Sequence, residues 1–269
     1  MNIGVIGLGH MGRAFIEGLV NSGVKQADII VNARTIQSIQ AVKDAFPALR
    51  VAFSKRDLVS QADTVVIAVK PQNAPEVLGE IGQLDLKGKL IISFMAGVSL
   101  SDTRKMLGDD SGILSVVRMM PNLAIARLNG VIGVCYEGDI PAMDKAGALF
   151  RKLGYLIRVS EERLDVITVC AGSGPAFAAY FMQQYRDACL HLLGDRAQSE
   201  ELMRRMFENA LEMTNDGSMS LEALIDKIST KGGVTEAGVN ALRCSGIGTS
   251  MEYCFASALR RIKELNPAK

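Results

Sequence analysis

A short apolar segment at the start of the chain leads directly into a glycine-rich turn. NIGVI, residues 2–6, has the continuous apolar character of a strand that is buried on both faces, and GLGHMG follows at residues 7–12. The residues after this turn, as far as Gly23, place their apolar side chains at helical spacing. A G-x-G-x-x-G pattern is a weak signal alone, but between a strand and a helix it is typical of dinucleotide-binding domains. This order predicts a Rossmann domain whose ligand site begins at the turn.

Each position of the glycine-rich turn has a physical role in such a domain. Gly7 permits the tight turn, Gly9 lets the backbone approach a pyrophosphate, and Gly12 allows the helix to pack on the strand. The first turn of the helix offers N–H groups and a positive dipole potential to the phosphates. His10 is expected to make a backbone or solvent contact, because catalysis takes place at the other end of a dinucleotide. The predicted cofactor-binding residues here are Gly7, Leu8, Gly9, His10, Met11 and Gly12.

The end of the second predicted strand, VNART at residues 31–35, indicates which dinucleotide binds. Domains that bind NAD usually carry Asp or Glu at this point, where the carboxylate accepts a hydrogen bond from the ribose 2′-OH. This chain has Asn32, Arg34 and Thr35 instead, and a guanidinium suits a 2′-phosphate. The residues therefore predict NADP(H), with NAD(H) as the alternative. The other interpretation of Arg34 is a solvated surface residue.

Short β-rich segments alternate with amphipathic segments as far as about residue 160. The predicted strands are 2–6, 28–32, 50–53, 63–69, 89–94, 113–119, 130–136 and 155–159, with later helices at 35–46, 73–82, 99–108 and 141–152. Such alternation predicts an α/β fold with a parallel, doubly wound sheet.

Two further turns follow predicted strands of this sheet. Ligands bind at the carboxyl ends of such strands, so the turns in AVKPQ (68–72) and FMAGVSL (94–100) are expected to contact the cofactor. The candidate residues there are Ala68, Val69, Lys70, Pro71, Met95, Ala96 and Gly97.

The strands stop near residue 160, and the rest of the chain has only helical patterns. Helices are predicted at 162–171, 175–193, 199–215, 220–230, 234–243 and 248–265. We therefore predict a Rossmann domain at 1–160 followed by an all-α domain at 161–269. Several of these helices have wide apolar faces rich in Met and Phe. Such a face is either part of an ordinary core or part of a dimer interface.

Composition excludes several classes of function. The net charge is +1 and Trp is absent, so nucleic acid is not expected as a partner. The five cysteines never form a CxxC motif, which indicates reduced thiols in a cytoplasmic protein. With only two histidines, neither a metal site nor a Ser-His-Asp triad is expected. The first apolar segment has no basic leader and charged residues follow it, so neither a signal peptide nor a membrane span is expected.

The segment STKGGVTEAG, Ser229 to Gly238, interrupts the helical part of the chain. Two adjacent glycines end one helix, and Val234 begins the next. One interpretation is a helix-breaking glycine pair with Thr235 as the N-cap of the following helix. The other is a binding site, because the start of a helix binds anions.

The order of the motifs along the chain resembles that of pyrroline-5-carboxylate reductases. The motifs are GLGHMG, AVKPQ, FMAGVSL, RMMPNLA (118–124), AGSGPAF (171–177) and STKGGVTEAGVNAL (229–242), and they span nearly the whole chain. The last is the most specific, since Gly-Gly-x-Thr at this point is unusual among Rossmann enzymes. The resemblance implies NAD(P)H-dependent reduction of Δ1-pyrroline-5-carboxylate to L-proline, in proline biosynthesis. It also implies a helical domain that forms an interlocked homodimer, often within a larger ring of dimers.

The same resemblance implies roles for particular residues. Gly232, Gly233, Val234 and Thr235 are expected to bind the substrate carboxylate or ring nitrogen, with backbone N–H groups of the glycine pair turned inward. Thr235 and Lys70 are the catalytic candidates, and Lys70 is expected to orient cofactor or substrate rather than to donate a proton. Asn122 is expected to position the nicotinamide side of the cleft. A protonated imine already carries positive charge, so hydride attack needs little from side chains.

Five positions depart from the family's usual pattern and bear on the identity of the imine. The MPN motif continues with Leu123-Ala124 in place of Thr-Pro, and Lys231 precedes the glycine pair in place of Pro. Val234 stands where the family often has a small residue or Thr, and Ser218 stands about where many members have Glu.

Three alternative functions compete with this interpretation. A β-hydroxyacid dehydrogenase needs a lysine on the first long helix of its second domain, and no lysine follows GSGP here before Lys227. A reductase of another cyclic imine carboxylate stays open. A non-catalytic NADP(H)-binding sensor would be expected to have a degraded substrate loop, whereas this loop retains its Gly-Gly-x-Thr pattern.

Overall fold

The computed structural model describes residues 1–138 and 140–265. The strands of the described residues are β1 Ile3–Ile6, β2 Ile29–Asn32, β3 Arg50–Val51, β4 Thr64–Ile67, β5 Leu90–Ser93, β6 Ser115–Pro121, β7 Gly130–Cys135 and β8 Gly154–Arg158. They form one sheet in the order β3-β2-β1-β4-β5-β6-β7-β8. The chain runs outward from β1 in one direction through β2 and β3 and then in the other from β4 onward. This reversal is the doubly wound arrangement that the alternation of elements predicts.

Helices connect these strands and then make up the rest of the chain. They are α1 His10–Asn21, α2 Ile36–Ala45, α3 Lys55–Gln61, α4 Ala74–Gly82, α5 Leu100–Leu107, α6 Pro141–Arg151, α7 Glu161–Ile167, α8 Gly174–Leu193, α9 Arg196–Glu212, α10 Leu221–Ile228, α11 Val234–Cys244 and α12 Ile247–Glu264. A π-helical turn, Thr168–Ser173, joins α7 to α8. Every predicted helix is present within a few residues of its expected bounds, and α3 is an addition.

The antiparallel pairing of β6 with β7 differs from the all-parallel sheet that we predict from sequence. Arg118 pairs with Cys135 and Pro121 with Ile132 in this ladder, whereas β7 and β8 run parallel. The connection is a short 3-10 turn, Leu123–Arg127, that ends at Leu128 in the left-handed conformation with φ 57°. A parallel crossover needs a dozen or more residues, so this short connection can only turn the chain back.

All strands of the sheet except the edge strands β3 and β8 are buried on both faces, which accounts for their continuous apolar sequences. On one face Phe15 of α1 packs edge-on against Phe94 with ring centroids 5.1 Å apart. Phe150 of α6 lies on the same face, with its ring centroid 6.0 Å from that of Phe15. The other face packs against α3, α4 and α5, where Leu58 and Leu78 are fully buried. These two layers hold the carboxyl ends of β1, β2 and β4 side by side at one edge.

A buried ion pair fastens α7 to the sheet. Arg118 of β6 is 2% exposed, and it donates to Glu161 at 2.7 Å and to Asp165 at 3.2 Å. Glu161 also accepts from the backbone N–H of Leu100 at 2.7 Å. By its contacts the chain divides into one unit of Met1–Ser173 with the described residues from Ala258, and a second unit of Gly174–Ser257. The sequence changes from alternating strands to helices near residue 160, but the contacts divide the chain later, after Ser173, because α7 packs on the sheet.

The second unit has almost no core of its own. Within Gly174–Ser257 only Ser199 and Leu224 are buried, and none of the 20 residues of α8 is buried. By length and composition alone, the helical stretch Glu161–Leu193 would also suffice to cross a membrane, with only 11% of its apolar window buried. The core helix of a soluble protein passes the same test, so this is weak evidence for a membrane.

Candidate cofactor site and substrate turn

A cleft of about 540 Å³ opens at the carboxyl ends of β1, β2 and β4. Nine of the predicted cofactor residues line it, namely Gly7, Leu8, Gly9, Asn32, Arg34, Thr35, Ala68, Val69 and Lys70. The strands that supply them are adjacent in the sheet, since Ile6 pairs with both Asn32 and Ile67. The cleft thus lies where the strand order reverses, the usual ligand site of doubly wound sheets.

The three glycines of the first turn have different surroundings, and those of Gly7 and Gly12 agree with the tight turn and the close packing predicted there. Gly7 has φ +102°, and a Cβ atom there would lie 2.7 Å from the carbonyl oxygen of Ala68. A Cβ atom on Gly12 would lie 2.1 Å from the carbonyl oxygen of Gly7, so α1 packs on β1 only without a side chain. Nothing lies within 4 Å of a Cβ atom on Gly9. The open space at Gly9 leaves room for a pyrophosphate against the backbone.

The start of α1 presents unused hydrogen-bond donors to this space. Gly9 is the N-cap residue, and no side chain caps the helix. Within the part of the chain that the structure describes, no acceptor is bonded to the N–H groups of His10, Met11 and Gly12. Such donors and the helix dipole favour a phosphate. His10 is exposed and Gly12 is buried, so the backbone, and not these side chains, offers the contacts.

The end of β2 combines a fixed strand terminus with an exposed cation. Asn32 donates its side-chain amide to the carbonyl of Ala52 at 3.0 Å, and its own carbonyl accepts from Gly7 N–H at 3.0 Å. Arg34 is exposed, and no described residue pairs with its guanidinium. Thr35 is the N-cap of α2, and its hydroxyl donates to the Ser38 hydroxyl at 2.8 Å. A 2′-phosphate near Arg34 would therefore meet one free cation and two hydroxyl groups.

Residues beyond β4 and β5 differ in how far they reach the cleft. Lys70 is exposed, and Pro71 begins a 3-10 turn. Met95 is fully buried at 0% exposure, so its side chain packs in the core, although its N–H donates to Ser93 Oγ at 3.3 Å. Ala96 and Gly97 are half-buried. Eight predicted cofactor contacts do not line this cleft, namely His10, Met11, Gly12, Pro71, Met95, Ala96, Gly97 and Asn122.

Asn122 has a buried side chain that is bonded within the protein. Its amide nitrogen donates to the carbonyl of Ala171 in the π-helical turn at 3.0 Å, and its amide oxygen accepts from Val131 N–H at 3.2 Å. It is 5% exposed. It fastens the end of β6 to β7 and to the π-helical turn, which is a positioning role for the elements around it.

The candidate substrate turn, Gly232–Thr235, has a glycine N-cap, so the interpretation of Thr235 as N-cap is wrong. Gly233 caps α11 in an extended conformation with φ −86° and ψ 171°, and Gly232 before it has φ +75°. Gly232 N–H donates to Glu236 Oε2 at 2.7 Å, and Gly233 N–H donates to the carbonyl of Thr230 at 2.8 Å. Both glycine N–H groups are therefore engaged inside the turn, contrary to the expectation that they face a ligand.

The donors that stay available at this turn come one residue later. Among the described residues, no acceptor is bonded to the N–H groups of Val234 and Thr235 or to the Thr235 hydroxyl. Thr235 is exposed, and Val234 is 93% exposed. A carboxylate placed at the start of α11 would find these three donors together with the helix dipole. Thr235 belongs to the second unit and Lys70 to the first.

The cleft also contains residues that the sequence did not indicate. They are Ser38, Phe53, Ser54, Lys55, Asn73, Glu76, Val77 and Glu80, from the segments after β2, β3 and β4. The spacing of Ser54 and Asp57 is typical of a helix N-terminus, so it could have predicted the start of α3 and the loop before it. Among the residues that the structure describes, no group of three or more His, Cys, Asp or Glu side chains is arranged to hold a metal ion.

Two family models match this chain, and neither covers the residues between 97 and 161. The model described as NADP oxidoreductase coenzyme F420-dependent matches residues 2–97, which include the cleft. The model described as pyrroline-5-carboxylate reductase dimerisation matches residues 161–265, which include α11 and its turn.

Whole-length relatives carry both parts in the same order. A curated pyrroline-5-carboxylate reductase of Staphylococcus epidermidis is 31% identical over 99% of this chain and 98% of its own length. A solved pyrroline-5-carboxylate reductase of Coxiella burnetii is 28% identical with a TM-score of 0.83, covering 98% of both chains. Pyrroline carboxylate reductase of Plasmodium falciparum with NADP bound has a TM-score of 0.87 at 24% identity, covering 99% of this chain and 98% of its own, and shares the fold. The chain therefore belongs to the pyrroline-5-carboxylate reductase family.

Proposed function

We propose that this protein reduces Δ1-pyrroline-5-carboxylate to L-proline with NADPH, as a step of proline biosynthesis. The observation that carries the proposal is the Gly232–Thr235 turn, where the N–H groups of Val234 and Thr235 and the Thr235 hydroxyl are free for a carboxylate. The same chain has a dinucleotide cleft, and its relatives over the full length are named for this reaction. A fold alone would not support an activity, whereas this turn is a specific site.

The chemistry asks the chain mainly to bind and to orient. Bound NADPH supplies a hydride for the carbon of the C=N bond, and the imine nitrogen keeps the proton that it already carries. The start of α11 and the Thr235 hydroxyl would hold the substrate carboxylate, because both offer hydrogen-bond donors to an anion. Lys70 is exposed at the cleft and would orient cofactor or substrate through its charge. Holding the two reactants in position is the main source of acceleration in such a site.

The preference for NADP(H) over NAD(H) rests on the end of β2. No acidic residue lies between Asn32 and Thr35, so a 2′-phosphate meets no carboxylate there. Arg34 is exposed at the cleft without a described partner, and its fork of donors suits a phosphate. The match to an NADP oxidoreductase model over residues 2–97 supports the same cofactor. NAD(H) is the weaker alternative.

We also propose that the protein works as a homodimer, or a ring of dimers, in the cytoplasm. The helices of Gly174–Ser257 bury only two residues by themselves, so they need a covering surface. The dimerisation model matches 161–265, which supports a second copy of this chain, and not a membrane, as that cover. The same match begins at the predicted boundary, so we keep 1–160 as the cofactor domain and 161–269 as the dimerisation and substrate domain.

The experiment that tests the function follows the absorbance of NADPH with purified protein and Δ1-pyrroline-5-carboxylate. Wild-type protein should turn over, and Thr235→Ala should lower kcat/KM about 10- to 100-fold, since a hydrogen bond to a charged group is lost. Thr235→Ser keeps the hydroxyl and should retain most of the activity. The Kd for NADP⁺ should be the same in wild type, Thr235→Ala and Thr235→Ser.

Two results would count against this function. If NADP⁺ binds but only another cyclic imine carboxylate is reduced, the substrate assignment is wrong and the departure at Val234 becomes the first residue to exchange. If no imine turns over although NADP⁺ binds, the protein is a nucleotide sensor and not a reductase.

A further inference from the structure

An exposed aromatic ring lines the cofactor cleft at the loop after β3. Phe53 is 95% exposed and borders the cleft together with Ser54 and Lys55. It is the one aromatic side chain among the described residues of the cleft lining. A phenylalanine ring normally packs in a core, because burial removes its apolar surface from water. A ring held in solvent beside a nucleotide site therefore needs an explanation.

The loop that carries Phe53 is held in place by a reciprocal cap. Ser54 Oγ accepts from the N–H of Asp57 at 3.0 Å, and Asp57 Oδ2 accepts from the N–H of Phe53 at 3.2 Å. This is a variant of the capping box, in which the Asp57 carboxylate reaches the N–H of Phe53, one residue before the N-cap Ser54. The bond to its own N–H fixes the backbone of Phe53, so the ring is kept at the cleft.

An ion pair joins this loop to a second lining element. Lys55 Nζ is bonded to Glu80 of α4, and the Lys55 side chain is only 16% exposed. Asn73, Glu76 and Val77 of the same segment also line the cleft. The Phe53 loop and α4 therefore form a connected pair of walls, with an aromatic face on one and polar and apolar groups on the other.

We propose that Phe53 is the surface on which the adenine base of the dinucleotide stacks. This rests on the proposed binding of NADP(H), whose pyrophosphate is assigned to Gly9 and whose 2′-phosphate is assigned to Arg34. Arg34 and Phe53 both line this cleft, so a base attached to that ribose would lie in the same cleft as the Phe53 ring. Aromatic rings bind any purine face by stacking, and the polar edge of the base is left to groups such as Asn73.

The absence of tryptophan from the sequence allows a direct test of stacking. In Phe53→Trp the single indole should lose fluorescence on saturation with 5′-AMP, and ribose 5-phosphate should have no such effect because it lacks the base. A matched control is Tyr155→Trp, since Tyr155 is 69% exposed and does not line the cleft. Its fluorescence should not change with 5′-AMP.

Calorimetry on the intact protein gives the second measurement. Phe53→Ala should raise the Kd for 5′-AMP and for NADP⁺ by about 5- to 100-fold, the range expected for loss of one base–aromatic stack. Phe53→Tyr should bind both within about threefold of wild type, since it keeps a ring. Thermal unfolding should be unchanged, because an exposed ring contributes little to the core.

The proposal is overturned if Phe53→Ala binds 5′-AMP as tightly as wild type, or if the Phe53→Trp signal does not respond to saturating nucleotide. It also falls if wild-type protein binds neither 5′-AMP nor NADP⁺. Loss of imine reduction with these binding results intact would overturn the proposed activity and leave the stacking role of Phe53 standing.

Discussion

At the scale of single residues, the glycine-rich turn separates a packing requirement from a binding requirement. Gly12→Ala should destabilise the protein by about 1–3 kcal/mol, because its Cβ atom would lie 2.1 Å from the Gly7 carbonyl oxygen. Gly9→Ala has open space and should cost less than about 1 kcal/mol, yet its methyl group occupies the space assigned to the pyrophosphate. Urea unfolding and NADP⁺ calorimetry measure the two effects. Equal losses of stability in both variants would contradict this division.

Arg34 permits a second prediction about a single side chain. Arg34→Ala should raise the Kd for 2′,5′-ADP about 10- to 100-fold, since a charge-assisted contact to phosphate is removed, and leave that for 5′-AMP unchanged. Calorimetry with the two nucleotides gives the ratio directly. Lys43→Ala is a suitable control, because Lys43 of α2 is bonded to the backbone carbonyls of Pro47 and Leu49 beyond that helix and does not line the cleft. Equal weakening of both nucleotides in Arg34→Ala would show that Arg34 does not read the 2′-phosphate.

At the scale of elements, a buried carboxylate fixes the turn between α5 and β6. Asp109 accepts from Arg104 at 2.6 Å and from the backbone N–H groups of Ile113 at 3.0 Å and Leu114 at 3.1 Å. Burial by itself would raise the pKa of Asp109, but these hydrogen bonds outweigh it and the pKa lies below the ordinary 3.8. The carboxylate therefore stabilises the fold above pH 3.8, and this contribution is lost as the pH falls through the lowered pKa.

Exchange of Asp109 tests this turn. Asp109→Asn should lower the free energy of unfolding near pH 7 by about 2–4 kcal/mol, because Arg104 is left without its charge partner. The difference from wild type should shrink as the pH falls below 3.8, where wild-type Asp109 also becomes protonated. Urea unfolding near pH 7 and below pH 3.8 measures this difference in the free energy of unfolding. The control is Asp110→Asn, since Asp110 is exposed. A difference that is constant with pH would show that the charge of Asp109 is not responsible.

The elements that the sequence did not predict share a physical cause. Helix α3 is a short segment, KRDLVSQ, with only Leu58 and Val59 buried, so its apolar pattern is too brief to register as helical spacing. The direction of β7 is not encoded in its apolar residues, since strands buried on both faces look alike whichever way they run. Only the length of the connection before β7 carries that information, because eight residues, 122–129, cannot form a parallel crossover.

At the scale of the whole molecule, the parts of the site differ in how far they follow from local sequence. The glycine-rich turn is contiguous in sequence with its strand and its helix, so all three were predictable from residues 2–23 alone. Phe53 and Lys55 come from the loop after β3, and only the order of strands brings that loop to the cleft. The substrate turn was found through its glycine pair, but the hydrogen bond from Gly232 to Glu236, which shifts the free donors to Val234 and Thr235, depends on a side-chain conformation.

At this scale the last prediction concerns the helices of Gly174–Ser257, because they bury almost no residues within one chain. None of the residues of α8 is buried, and Tyr180 on this helix is 60% exposed. If a second copy covers these helices, light scattering should give a dimer or a multiple of it, and Tm should rise with protein concentration. Tyr180→Glu should weaken this association and lower Tm, whereas Ile113→Glu, at an 80% exposed position before β6, should do neither. A wild-type monomer whose Tm is independent of concentration would contradict the homodimer and leave the apolar faces of α8 and its neighbours to a different partner.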